Sequence, residues 1–186
     1  MSHFQPLSIA QAPEAAQARL ILAEKANGFA SNLLGVLAYA PTALESYQTL
    51  SEINQRNSLS AQQREVVQLV AATHNACSFC VAGHTALSLN KFKLDPDLVQ
   101  ALRDQEHLPE PQLDQLAQFA QQLLRHKGAV DERSLNEFFN AGFSPQQALD
   151  VILGLSLATL CNFANSLART PLNSALEKYQ WSGSDD

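Results

Sequence analysis

SAQQREVVQLVAATHNACSFCVAGH, residues 60 to 84, decides the fold. Ser60 and Gln63 have the spacing of a capping box, so a helix should open at residue 61 and run through the apolar stretch that follows. Thr73-His74-Asn75-Ala76 reads as its end, and a second helix opens at Cys77. Helix, break and helix within 25 residues, with no period-2 alternation, is the pattern of an all-α chain.

The same punctuation recurs outward from this stretch. Asp95-Pro96, Ser144-Pro145 and Thr170-Pro171 each read as an N-cap followed by proline in the first helical position, and Ser144 with Gln147 repeats the capping box. Gly28, Gly128 and Gly142 stand where C-cap glycines belong. The expected helices are 13–26, 31–40, 42–56, 61–74, 77–89, 96–103, 111–127, 131–141 and 145–168, with a further one at 171–180. At 186 residues the chain fits one domain with an ordinary core, spanning 13–180 between an N-terminal arm (1–12) and a C-terminal tail (181–186). Phe29, Phe119, Phe138, Phe139, Phe143 and Phe163 are expected in that core, some of them available to line an apolar pocket.

A net charge of −6 with only 12 Lys and Arg argues against a nucleic-acid footprint or a polybasic membrane surface. The uncharged run from Val151 to Ala168 is interrupted by Ser156, Thr159, Asn162, Asn165 and Ser166, which suits a core or subunit-interface helix better than a membrane span. Three cysteines and no secretory leader point to a reducing cytoplasm, where a CxxC pair is a reactive feature rather than a structural staple.

Shifting the chain by 84 residues pairs Ser60 with Ser144, Gln62 with Gln146, Gln63 with Gln147, Leu69 with Leu153, Cys77 with Cys161 and Phe79 with Phe163. One helical unit used twice would explain the match. In the second copy Glu65 becomes Leu149, Cys80 becomes Ala164 and His84 becomes Ala168, so scaffold positions persist and the reactive set does not. Cys161 then reads as packing.

Cys77 and Cys80, three positions apart, can close a small disulfide at the first turn of a helix, where unpaired amides and the positive macrodipole favour thiolate at both. His84 lies one turn beyond Cys80 on the same face, Cys77 is displaced by about 60°, and Glu65 on the preceding helix can orient the imidazole directly or through water. The residues therefore suggest a thiol-dependent peroxidase or disulfide reductase: Cys80 attacks after His84 takes its proton, and Cys77, the more exposed, resolves. A zinc site from Cys77, Cys80, His84 and Glu65 would crowd three ligands onto one turn with no second CxxC, and c-type haem attachment needs histidine where Val81 stands. No metal and no cofactor is expected. His74 is expected to cap a helix C-terminus as a partly charged imidazole.

Glu65, eleven intervening residues, then Cys77-x-x-Cys80-x-x-x-His84, together with the lead-in NLLGVLAYAP at 32–41, resembles the signature of the AhpD-like alkylhydroperoxidases within the carboxymuconolactone decarboxylase family, over roughly residues 25 to 170. The resemblance implies an all-helical fold of duplicated units and a homotrimer or homohexamer. It also implies a small-molecule hydroperoxide as substrate, Cys80 as the peroxidatic thiol, Cys77 as the resolving thiol, and Glu65 with His84 as a proton relay. The reductant it implies is a dithiol protein: a lipoyl-bearing adaptor, a peroxiredoxin partner or a thioredoxin-like protein. Relatives have histidine immediately before the second cysteine, and this chain has Phe79, which leaves a shorter relay or one completed by His74. Two other functions are compatible with the same residues: a redox sensor or partner-binding protein that uses the disulfide as a switch, and a lactone decarboxylase-like lyase that does not need the thiols.

Overall fold

The computed structural model describes residues 3–183; residues 1–2 of the arm and 184–186 of the tail lie outside the described residues. Among the described residues nine α-helices follow one another: α1 (Glu14–Asn27), α2 (Asn32–Leu37), α3 (Pro41–Asn54), α4 (Ala61–His74), α5 (Ser78–Asn90), α6 (Pro96–Arg103), α7 (Pro111–Arg125), α8 (Glu132–Asn140) and α9 (Pro145–Ala168). No strand occurs among the described residues, and the fold is all-α.

The bundle is organised around α4. Its nine consecutive residues from Glu65 to Thr73 are all buried, which a helix reaches only when other elements cover every side of it. α7, α9, α5 and α6 supply that cover. Both capping boxes form as the spacing predicts: Ser60 Oγ accepts from the Gln63 amide at 3.2 Å and Ser144 Oγ from the Gln147 amide at 3.2 Å. A second focus of packing joins α7 and α8, where Phe138 stacks on Phe119 at 4.1 Å and on Phe143 at 4.4 Å between centroids. Phe29 and Phe163 depart from the expected core set, being 41% and 61% exposed. Phe29 sits in the turn after Gly28, and Phe163 points away from the bundle on α9.

Thr170-Pro171 does not open a helix. Arg169 takes a left-handed conformation (φ 49°), and the Thr170 amide donates back to Asn165 O at 3.0 Å, so the pair closes α9 instead. A 3-10 helix at Ser174–Tyr179 follows and packs on α5. At the other end, Leu7 donates its amide to Gly35 O at 3.1 Å. A Cβ on Gly35 would lie 2.8 Å from Leu7 O, so only glycine lets the two backbones approach this closely.

α9, at 24 residues, is long and apolar enough by length and composition to cross a membrane, yet half of its apolar window is buried in the bundle, against α4, α3 and α2 among others. The two copies of the repeat differ in one respect. Residues 60–84 fold as helix, break and helix, whereas residues 144–168 run as a single helix.

Candidate active site at the break between α4 and α5

The break is built from main-chain geometry. Ala76 adopts a left-handed conformation (φ 49°), its amide donates to Thr73 O at 3.0 Å, and the Cys77 amide reaches back to Ala72 O at 2.9 Å. The Asn75 carboxamide donates to Asn162 Oδ1 at 2.9 Å and ties the turn to α9. The chain thus re-enters a helix at a new angle, with Cys77 itself as the N-cap of α5: its sulfur accepts the Cys80 amide at 3.4 Å.

The two free sulfurs are 2.7 Å apart and share a hydrogen bond. This separation exceeds the ~2.05 Å of a disulfide by less than an ångström, so bond formation needs little movement. The expected lowering of both thiol pKa values holds for Cys77 alone. The hydrogen bond with Cys80 is the main cause that holds Cys77 below its ordinary value; burial opposes it, and the Cys80 amide, the field of His84 and the Asn165 carboxamide reinforce it. The same hydrogen bond, followed by burial and coupling to the neighbouring thiols Cys77 and Cys161, pushes Cys80 up, with Asn165 acting the other way. One shared hydrogen bond thus drives the two thiols in opposite directions, and Cys77 is the one that ionises first. The expectation that Cys77 is the more exposed thiol is also corrected: it is 2% exposed and Cys80 5%, because the N-cap position faces the bundle.

His84 Nδ1 and Glu65 Oε2 are 2.9 Å apart, so the carboxylate from α4 meets the imidazole from α5 directly, without a bridging water. Burial pulls the His84 pKa down, but the charge and hydrogen bond of Glu65, with the field of Cys77, more than offset this, and the net direction is up. The ring's positive field favours thiolate on Cys77.

A cavity of about 270 Å³ opens beside this pair, lined by Tyr47, Glu65, Gln68, His84, Leu157 and Cys161 among others. Phe92 is the one phenylalanine in its wall. Burial pushes the Cys161 thiol up to about 12, so it stays protonated, hydrogen-bonded to a Tyr47 hydroxyl that burial also pushes upward. A larger hollow of about 460 Å³ between α1 and α3 holds none of the four predicted site residues.

Sequence reasoning did not single out Tyr47 or Asn165. Asn165 donates its carboxamide N–H to Cys80 Sγ at 3.3 Å across 85 residues of chain. The available signal was a pair of amides, Asn162 and Asn165, in an otherwise apolar helix. His74 is the last residue of α4 and exposed, and burial followed by the charge of Arg125 lowers its pKa, a direction that works against the partly charged cap expected there. No hydrogen bond joins it to either sulfur among the described residues, and Phe79 is buried in the core. No group of three or more His, Cys, Asp or Glu placed to hold a metal occurs among the described residues.

Residues 41–110, which hold α3 to α6 and all four predicted site residues, match the model of the carboxymuconolactone decarboxylase family. In fold the chain is similar to the alkylhydroperoxidase AhpD core of an uncharacterized peroxidase-related protein from Ralstonia eutropha JMP134 (TM-score 0.82, 19% identity, 94% of each chain covered). It is likewise similar to an uncharacterized peroxidase-related protein from Silicibacter sp. TM1040 (0.78, 19%, 94% of each). A third likeness is to the debrominase Bmp8 in complex with 2,3,4-tribromopyrrole (0.77, 12%, 96% of each). Comparison with curated proteins gives no match.

Proposed function

With its segment 41–110 matching the carboxymuconolactone decarboxylase family and its fold that of the AhpD-like proteins, we propose that this chain is a thiol-dependent peroxidase that reduces small organic hydroperoxides through Cys77 and Cys80. The observation that carries the reading is the 2.7 Å approach of the two free sulfurs at the start of α5, with the Glu65–His84 pair beside them.

The cycle begins when the shared proton moves from Cys80 to Cys77. The Cys80 thiolate attacks the terminal oxygen of ROOH, the O–O bond breaks, and the sulfur becomes a sulfenic acid while RO⁻ leaves. His84, kept basic and oriented by Glu65, supplies the proton that turns RO⁻ into ROH. The Cys77 sulfur, giving up its proton, displaces hydroxide from the sulfenic acid as water, and the disulfide closes. A dithiol then reduces it. Burial of both sulfurs favours a slender terminal –OOH group as substrate. On the reducing side it favours a dithiol borne on an arm, such as a lipoyl group on an adaptor protein, over a peroxiredoxin partner or the flat face of a thioredoxin-like protein. A cytoplasmic location belongs to the same reading, since the pair must be re-reduced every turn. The exposed apolar side chains Leu149, Ile152, Phe163 and Leu167 along α9 support assembly as a homotrimer or homohexamer. Sedimentation at micromolar concentration tests this, and a stable monomer would reject it.

Turnover of cumene hydroperoxide with dithiothreitol is the direct test. Cys80→Ser and Cys77→Ser are expected to fall to background, and His84→Ala by about a hundredfold. A fully active Cys80→Ser protein would reject the cycle. Oxidation of one equivalent without turnover would instead favour the redox sensor, a reading to which the low exposure of both sulfurs lends weight.

A further inference from the structure

Asn165 is a buried polar side chain that the cycle above leaves without a task. It is 3% exposed, on a helix whose inward face is otherwise largely apolar. Its Nδ2 donates to Cys80 Sγ at 3.3 Å, and its Oδ1 is buried with no hydrogen-bond partner among the described residues. Asn162, nearly one turn earlier, differs: its Oδ1 accepts from Asn75 and is satisfied. The position that matches Asn165 in the other copy of the repeat, 84 residues earlier, is Val81, fully buried and apolar. The sequence-matched position in the other copy is thus apolar, while Asn165, beside the Cys80 sulfur, carries a carboxamide whose oxygen is unused. A buried orphan oxygen costs stability in the state that leaves it unpaired, and its presence in a native structure calls for a reason.

We propose that Asn165 is a catalytic residue and a reversible partner for Cys80: its N–H donates to the sulfur when that is a thiolate, and its carbonyl oxygen accepts the O–H of the sulfenic acid once peroxide has reacted. A carboxamide suits both states because rotation about its terminal bond exchanges donor and acceptor at one place. When Cys80 attacks ROOH, the new S–O bond carries a hydroxyl group whose proton needs an acceptor in a buried site, and Asn165 Oδ1 is the unused one beside this sulfur. Held there, the sulfenic acid stays protonated and waits for Cys77. Without it the sulfenic acid is freer to ionise and to meet a second peroxide, which carries it on to sulfinic acid. The thiolate half of the inference is independent of the substrate, whereas the sulfenic half rests on the peroxidase reading.

The test uses protein carrying Cys77→Ser and Cys161→Ser, so that Cys80 is the only thiol. Thiolate absorbance at 240 nm is followed against pH with Asn165 present and with Asn165→Leu. The Cys80 midpoint should rise by about one unit on loss of the amide, or about tenfold less thiolate at a given pH below the midpoint. Circular dichroism checks folding, and Asn165→Asp, which keeps the shape but replaces the donor with an acceptor, should raise the midpoint at least as far. A midpoint unmoved in both variants overturns the inference. In a second arm, one equivalent of cumene hydroperoxide is added and the sulfenic acid is captured with dimedone. About fivefold less capture and more sulfinic acid are expected in Asn165→Leu. A shifted midpoint with no sulfenic acid even when Asn165 is present would sink the peroxidase reading and the sulfenic half while leaving the thiolate role standing. Sulfenic acid formed equally in both proteins, with midpoints unmoved, would overturn both halves of the inference while leaving the peroxidase reading standing.

Discussion

Residues 60–84 and 144–168 begin alike and end differently. Each opens on a serine whose hydroxyl caps the chain and a glutamine that closes the box, and each carries a cysteine 17 residues after that serine. In the first copy Thr73-His74-Asn75-Ala76 ends the helix, and the cysteine that follows becomes an N-cap beside a second thiol and an imidazole. In the second, Leu157-Ala158-Thr159-Leu160 stands in the same register and the helix continues, so Cys161 lies mid-helix, buried and protonated. The two cysteines differ in environment because four residues let the backbone turn in one copy, and turning gives the sulfur unpaired amides that a helix interior has already used.

The widest difference expected from this comparison is in alkylation. At pH 7, a thiol with pKa about 12 holds on the order of one part in 10⁵ as thiolate, and Cys77 lies below its ordinary value. Both thiols are buried, so access slows both, and the difference in thiolate fraction should make Cys77 react about a thousandfold faster than Cys161 in peptide mapping after timed iodoacetamide treatment. Comparable rates in folded protein would break the comparison.

Next in size is a pair of glycine substitutions at aligned positions. Leu160→Gly, inside the continuous helix, should lower stability by about 2 kcal/mol through lost burial and helix propensity. Ala76→Gly, at φ 49°, should raise it by about 0.5–1 kcal/mol, because glycine takes the left-handed conformation without the steric cost. Urea unfolding reads both, and two changes of the same sign would mean that the break is not set by this residue.

Smallest is the effect of Glu65, whose counterpart in the other copy is Leu149. Glu65→Gln removes the charge that raises the His84 pKa, and the imidazole midpoint followed by NMR should fall. The linkage has a definite sign. With its folded pKa raised, His84 contributes stability that is fully present below the unfolded value near 6.5 and is lost as pH rises through the folded value. The variant should therefore lose stability relative to wild type at pH 5–6 and little at pH 9. An unmoved midpoint would mean that Glu65 does not set the charge of His84.

Much of this was legible in the sequence because it is local. Caps, prolines and the Thr73–Ala76 interruption act within a turn of the residues they govern, and the helix ends follow from them. Glu65 and His84 could be paired because one break separates their helices. Cys77 as its own N-cap was missed because a cysteine is not among the usual capping residues, and its burial was missed because exposure depends on what α9 covers. The approach of Asn165 to Cys80 and of Tyr47 to Cys161 spans 85 and 114 positions, and no pattern along the chain encodes distances of that kind.

The outer side of α5 is braced from far along the chain. Arg103 donates to Thr85 Oγ1 and to the carbonyl oxygens of Tyr179 and Gln180, Asn90 donates to the Tyr179 hydroxyl, and Trp181 donates to Arg103 O. At roughly 5–20 residues per second, a ribosome makes these residues on the order of 10 s after the thiols. The helix that carries Cys77 and Cys80 is thus translated early and buttressed late, and for that interval a nascent chain holds its thiol pair on an unfinished support, before the burial that covers both residues in the folded protein.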